Sequence, residues 1–250
     1  MKGAARKGAK LVGIELSSNR VTKVIPLDGA VLPASNLRRV CVSPWGTHAY
    51  ISDAGAGAIL VVNLEDGLTW RVLAEDPSTK ADPDVVLTVE GKALLDEGGK
   101  PFRMHVDGLA LDPEGSLLYY HALTANVLYR IHTRYLNDPT FPHGDPSGHV
   151  ERLSETGPVD GMLMDRDYNL FLAMPEEGAV KRYRAYDGSL VTLAQSDRIA
   201  WPDSMGLSPD RYLYVTASQF NRVPYFNRGK DERRPPYILF RVYKTYPPPP

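Results

Sequence analysis

Three segments of this 250-residue chain repeat one pattern: Asp107-Gly-Leu-Ala-Leu-Asp112-Pro, Asp160-Gly-Met-Leu-Met-Asp165-Arg and Asp203-Ser-Met-Gly-Leu-Ser208-Pro. Each opens on Asp, runs through small and apolar residues, and reaches a turn-forming residue at an offset of five. Each is soon followed by an aromatic or aliphatic run: Leu117–Tyr120, Leu170–Leu172 and Tyr212–Val215. The leading Asp residues are separated by 53 and 43 positions. Self-similarity at such a period marks a propeller blade or another stacked supersecondary unit. It also places three carboxylates at equivalent points of successive repeats.

The rest of the chain agrees with an all-β reading. No long stretch carries an apolar stripe at helical spacing with caps at both ends. Leu11–Leu16 and Val21–Ile25 read as a hairpin around Ser17-Ser-Asn-Arg20. Strands over Leu37–Val42, His48–Ser52, Ala58–Leu64 and Trp70–Leu73 form a first set of four. A second set runs Gly108–Leu111, Leu117–His121, Val127–Ile131 and His149–Leu153. A third runs Gly161–Met164, Leu170–Ala173, Ala179–Tyr183 and Leu190–Leu193. The fourth keeps three clear strands, Met205–Leu207, Tyr212–Thr216 and Tyr237–Val242. The expectation is a β-propeller with about four blades and an orphan hairpin, spanning residues 10–243. A basic stub (1–9), an insertion at about 75–105 and a Pro-rich tail (244–250) accompany it.

Composition narrows the partners. A formal charge of −1 with no dense Lys/Arg stripe argues against nucleic acid. No apolar run approaches the roughly 20 residues of a membrane span, and the basic residues 1–10, with no apolar stretch after them, do not read as a signal peptide, so the compartment stays open. Cys41, the single cysteine, excludes an intramolecular disulfide and reads as a packed strand residue. The six His residues lack zinc-type spacing, and neither a G-x-S-x-G elbow nor a Walker loop occurs.

Several stretches together resemble one family. They are Tyr50–Leu64, Asp76-Pro-Ser-Thr79, Asp107–Pro113, Ala122–Ile131, Glu155–Gly161, Trp201-Pro-Asp203 and Tyr214–Ser218. In this order they resemble the bacterial branch of the yellow/major royal jelly protein family, over about Lys10 to Val242. The resemblance implies a six-bladed propeller, of which this chain carries about four blades and is N-terminally truncated. It implies a small-molecule ligand at the mouth of the central channel, aromatic amines among the candidates. Proposed dopachrome-converting isomerase activity also belongs to that family. Members are often secreted or periplasmic. Open blade edges would in turn favour self-association.

In such a ring, residues at the entrances of the inner strands converge. Asp107, Asp160 and Asp203 are the candidates, with Asn36 offset by about two residues. Thr124, Glu176 and Ser218, after second strands, face the same side and complete the candidate ligand-binding set. Oxygen ligands of this kind suit a hard cation such as Ca²⁺. Asp160-Gly161-Met162 and Asp107-Gly108 are also similar to the metal-ligand positions of regucalcin/gluconolactonase-type propellers. That likeness makes Asp107 and Asp160 the candidate metal ligands of a lactone hydrolase. An inactive structural propeller is the third alternative. Against all of these stands a purely local reading, since Asp-Gly before a strand is also a turn signature. Asp112, Asp165 and Ser208 read as turn residues.

Overall fold

The computed structural model describes residues 8–140 and 146–244. The basic segment 1–7, the stretch 141–145 and the Pro-rich tail 245–250 lie outside them. The chain begins with a hairpin, β1 (Lys10–Glu15) and β2 (Arg20–Pro26). Blade I follows as β3 (Leu37–Val42), β4 (His48–Asp53), β5 (Ala58–Asn63) and β6 (Thr69–Val72). An insertion holds the short hairpin β7 (Thr88–Val89) and β8 (Lys92–Ala93). Blade II is β9 (Val106–Leu111), β10 (Leu117–Ala122), β11 (Val127–His132) and β12 (Glu151–Glu155). Blade III is β13 (Met162–Met164), β14 (Asn169–Met174), β15 (Ala179–Arg184) and β16 (Leu190–Gln195). Blade IV has three strands, β17 (Pro202–Leu207), β18 (Tyr212–Ala217) and β19 (Leu239–Tyr243). Every blade is an antiparallel meander in chain order, so the four-blade expectation holds.

Why these residues make blades is visible in β5. Its sequence Ala-Ile-Leu-Val-Val-Asn is buried from Ala58 through Val62. A strand covered on both faces needs no polar alternation, and β-branched residues fill such a site well. One face of blade I packs Tyr50, Ile59 and Val61 on Val106, Leu118 and Ile131 of blade II. Its other face packs Ile51, Leu60 and Val62 on Ile25 and Leu27 beside the first hairpin. Tyr119 and Leu128 then meet Leu170 and Leu172 between blades II and III. Phe171 and Val180 meet Leu213, Val215 and Val242 between blades III and IV. The innermost strands β3, β9, β13 and β17 touch in that order around the channel.

The turn readings also hold. Asp112 accepts from the amides of Ser116 and Leu117 at 2.6 and 3.0 Å. Asp165 accepts from the amides of Asp167 and Asn169, both at 2.9 Å. Ser208 closes its turn through its backbone, accepting from Arg211 N at 3.2 Å. The insertion is a cover rather than a fifth blade. Leu87, Val89, Leu94 and Met104 join Trp201, Phe220 and Phe226 in a separate cluster on the channel-mouth side. His121, fully buried, bonds Ala122 O at 2.7 Å and Thr156 Oγ1 at 2.9 Å. Burial lowers its pKa to about 4, so it is a neutral packing residue.

Candidate functional site

The inner strands do not enter the channel mouth with regular pairing. In β3, Leu37 pairs with Asp53 and Val40 with Ile51, so Arg38 and Arg39 together face Ser52. In β17, Pro202 pairs with Ala217 and Met205 with Val215, so Asp203 and Ser204 face Thr216. In β9, Val106 pairs with Ala122 and Gly108 with His121, leaving Asp107 as the extra residue. An extra residue bends its strand and re-aims side chains. The hydroxyl of the opposite residue supports two of these bulges. Ser52 Oγ accepts from Arg39 N at 3.0 Å, and Thr216 Oγ1 accepts from Ser204 N at 3.1 Å.

The side chains released in this way converge on one guanidinium. Arg39 Nη2 donates to Asp160 Oδ1 at 2.8 Å and also to Asp203 Oδ1. Its Nη1 donates to Ser204 Oγ at 3.0 Å, and its Nε lies 3.4 Å from Asp107 Oδ1. Arg38 Nε donates to Asp107 Oδ2 at 3.1 Å. Trp201 Nε1 donates to Asp160 Oδ2 at 2.6 Å. Asp107 and Asp160 are fully enclosed. Burial favours a proton on each of them. For Asp160, burial and the charges of Asp107 and Asp203 outweigh Arg39 and the Trp201 bond, and raise its pKa to about 7. Asp107 is raised as well, first by burial, although Arg38 and Arg39 pull the other way. Burial works against the charge on Arg39, but the fields of Asp160, Asp203 and Asp107 more than restore it. Two buried atoms here make no hydrogen bond, Arg39 Nε and Asp107 Oδ1.

Below the cluster the channel widens into a cavity of about 320 Å³ between the inner strands. Arg39, Asp203 and Ser204 line it together with Cys41, Leu111, Met162 and Met205. Cys41 is half-buried, and burial pushes its thiol up to about 12, consistent with a packed and unreactive residue.

The three repeat aspartates therefore meet, as their spacing suggests. The other candidates do not join them. Asn36 uses its backbone N–H to reach Asp53 Oδ1 at 2.8 Å, outside the cluster. Thr124 is buried and locks Met104, its Oγ1 at 3.0 Å from both the N and the O of that residue. Ser218 donates its backbone N–H to Trp201 O at 2.9 Å. Glu176 accepts from Thr88 N at 2.6 Å and lines a neighbouring cavity on the far side of Trp201. A cation at the mouth would have to displace Arg39, and Asp160 is already held on its other oxygen by Trp201. The described residues contain no group of three His, Cys, Asp or Glu arranged to hold a metal ion.

The residues that sequence reading misses are Arg38, Arg39 and Trp201. The signal for the arginines was present. Asn36 is offset by two because the equivalent of Asp203 in β3 is Arg38, one residue past Leu37. One blade thus presents the opposite charge at the shared position.

Comparison with known proteins places this geometry. No helix among the described residues is long and apolar enough to cross a membrane. Solved structures share the architecture at low identity. A chain of the nidogen/laminin complex matches at TM-score 0.58 and 15% identity, over 86% of this chain and 68% of that one. A streptogramin B lyase matches at TM-score 0.54 and 12% identity, over 82% of this chain. This chain spans about half of the lyase, 54%. Regucalcin from Agrobacterium tumefaciens aligns over 95% of this chain and 84% of its own at 16% identity, with a TM-score of only 0.39. Among curated proteins none is significantly similar in sequence. The sequence model of the major royal jelly protein family, however, matches residues 4–245. With the propeller blades and inner-strand aspartates in place, the chain belongs to the major royal jelly protein family.

Proposed function

We propose that this chain is a small-molecule-binding propeller that takes its ligand at the mouth of the central channel. The observation that carries the reading is the Arg39 hub, where three carboxylates face two guanidiniums above a 320 Å³ cavity. Such a hub is costly to bury unless it is fully paired. Its two buried atoms without a hydrogen bond, Arg39 Nε and Asp107 Oδ1, face each other as an ion pair at 3.4 Å. The open position is on Asp203, the most accessible of the three carboxylates, whose Oδ2 makes no hydrogen bond among the described residues. That free oxygen suits a cationic group without displacing Arg39, and the Met and Leu walls below suit an apolar or aromatic body. An aromatic amine has both.

Isothermal titration calorimetry with tyramine and dopamine, against the matched neutral alcohol 4-hydroxyphenethyl alcohol, tests this. The amines should bind at least about tenfold tighter than the alcohol, a difference of about 1.4 kcal/mol. Asp203→Asn should erase that preference, because Asp203 is the most accessible of the three carboxylates. Equal binding of amine and alcohol, or no heat with either at millimolar concentration, would sink the reading. A metal-dependent lactonase remains the competing proposal. It requires Ca²⁺ to raise thermal stability and support lactone turnover, and Asp160→Asn to abolish both.

A further inference from the structure

A second cavity, about 430 Å³, lies on the same side of the propeller and is separated from the Arg39 hub by Trp201. Its walls come from two sources. The β14–β15 loop and the segment after β16 supply Glu176 and Asp197. The insertion and the loop between β18 and β19 supply Glu90, Arg222 and Arg234.

Most of these charges are already committed. Arg222 clamps Glu90 through Nε at 3.1 Å and through Nη2, and its Nη1 donates to Gln219 Oε1 at 2.9 Å. Asn221 Nδ2 adds a further bond to Glu90 at 3.0 Å. Gln219 in turn pins the backbone of Arg234, accepting from its N at 2.8 Å and donating to its O at 3.0 Å. Among the described residues, the guanidinium of Arg234 and the carboxylate of Asp197 make no hydrogen bond. Glu176 uses one oxygen on Thr88 N and keeps the other. Glu177, which also lines the cavity, likewise gives one oxygen to Lys181 and keeps the other. The open charges are thus the guanidinium of Arg234 from one source and the carboxylates of Asp197, Glu176 and Glu177 from the other. Between them the lining is apolar: Val89, Pro175, Ile199 and Ala200.

The backbone around the cavity is held in conformations that side chains disfavour. Glu90, Trp201 and Gln219 have φ of 53°, 58° and 53°. Non-glycine residues in this region are uncommon, and they persist where the surroundings over-determine them. Here the hydrogen-bond network of Gln219 and Arg222 provides that restraint, and it fixes the backbone of Arg234. Open charges of both signs around one small space with apolar lining match a ligand that carries an ammonium and a carboxylate on one carbon.

We propose that this cavity binds a free amino acid with an apolar side chain, its α-carboxylate on Arg234 and its α-ammonium between Glu176 and Asp197. Arg is suited to the carboxylate because its planar fork pairs with two oxygens. The site is independent of the channel mouth, and the two are distinguishable by their variants.

Calorimetry on the full chain with L-leucine, 3-methylbutylamine and 4-methylpentanoate tests the inference. The amine lacks only the carboxylate and the acid lacks only the ammonium. L-leucine should bind at least about tenfold tighter than either fragment. Arg234→Gln and Glu176→Gln should each weaken L-leucine about tenfold, while Asp203→Asn at the channel mouth leaves it unchanged. Both changed side chains lie at the surface of the cavity, so thermal unfolding should stay at the parent value and report an intact fold. Absence of L-leucine binding at millimolar concentration overturns the proposal. So does an amine that binds as well as L-leucine, or a loss in Asp203→Asn that Arg234→Gln does not share.

Discussion

At the scale of single residues, the mouth depends on one cation. Arg39 neutralises Asp160 and Asp203 and faces Asp107. Removing one partner of a buried pair leaves an uncompensated charge, which costs about 3–5 kcal/mol. Arg39→Met should therefore lose about that much stability at pH 8 in urea unfolding, and less at pH 5, where the carboxylates can take protons. Asp160 gives a separate pH signature. Its folded pKa of about 7 lies above the ordinary carboxylate value of 3.8. The folded state holds that proton more tightly, so its contribution is fully present below the unfolded pKa. It is lost as pH rises through the folded one. Between pH 4 and 7 the parent should lose stability relative to Asp160→Asn, and parallel stability curves for the two would contradict this. Residue types alone could not disclose this chemistry. The carboxylates were readable as a repeated letter, whereas Arg38 and Arg39 broke the repeat and so escaped it.

At the scale of elements, strands were readable and their irregularities were not. Leu37–Val42 and Leu117–Ala122 follow apolar runs that any β pattern reveals. The bulges at the starts of β3, β9 and β17 leave the apolar pattern nearly intact, because pairing resumes on both sides. That is why Asp107 and Asp203 read as residues just before a strand but lie inside one. The insertion shows the same limit. Of its apolar run Val85–Val89 only Thr88–Val89 pairs, with Lys92–Ala93. The glycines of the inner strands allow a direct check. A Cβ on Gly161 would collide with the backbone oxygen of Asp203, while one on Gly206 meets nothing within 4 Å. Gly161→Ala should cost about 1–3 kcal/mol by forcing β13 from β17. Gly206→Ala should change stability by less than about 0.5 kcal/mol. Equal effects of the two in thermal unfolding would show that the inner strands are not packed this closely.

At the scale of the molecule, each sheet is stabilised by its neighbours. Apolar clusters join the hairpin to blade I, I to II, II to III and III to IV. Among the described residues no such cluster joins blade IV to the hairpin. Arrays coupled mainly through neighbours open most easily where one flank is bare. Hydrogen exchange should therefore be slowest in β10 and β14, whose strands are almost wholly buried. It should be fastest in β1, β2 and β19. Uniform protection across all blades would mean that the array opens as one unit. The stacked-blade plan was legible from the repeat and from the family motifs. The two-walled cavity was not, because Glu90, Glu176 and Arg234 are far apart in sequence and meet only through loops.

The position of Trp201 has one more consequence. Trp45 is 80% exposed, whereas Trp201 is 1% exposed and bonded to the one carboxylate of the mouth whose pKa reaches about 7. Its indole also borders the amino-acid cavity. The molecule thus contains an optical reporter wired to both chambers. Trp70, the third tryptophan, lies edge-on to His48 and must be removed first. In a Trp70→Phe background iodide can quench Trp45 selectively, and the remaining emission should then shift with pH around neutrality in the parent and stay flat in Asp160→Asn. Occupancy of either chamber can be followed through the same ring, without a label and without knowing the ligand in advance.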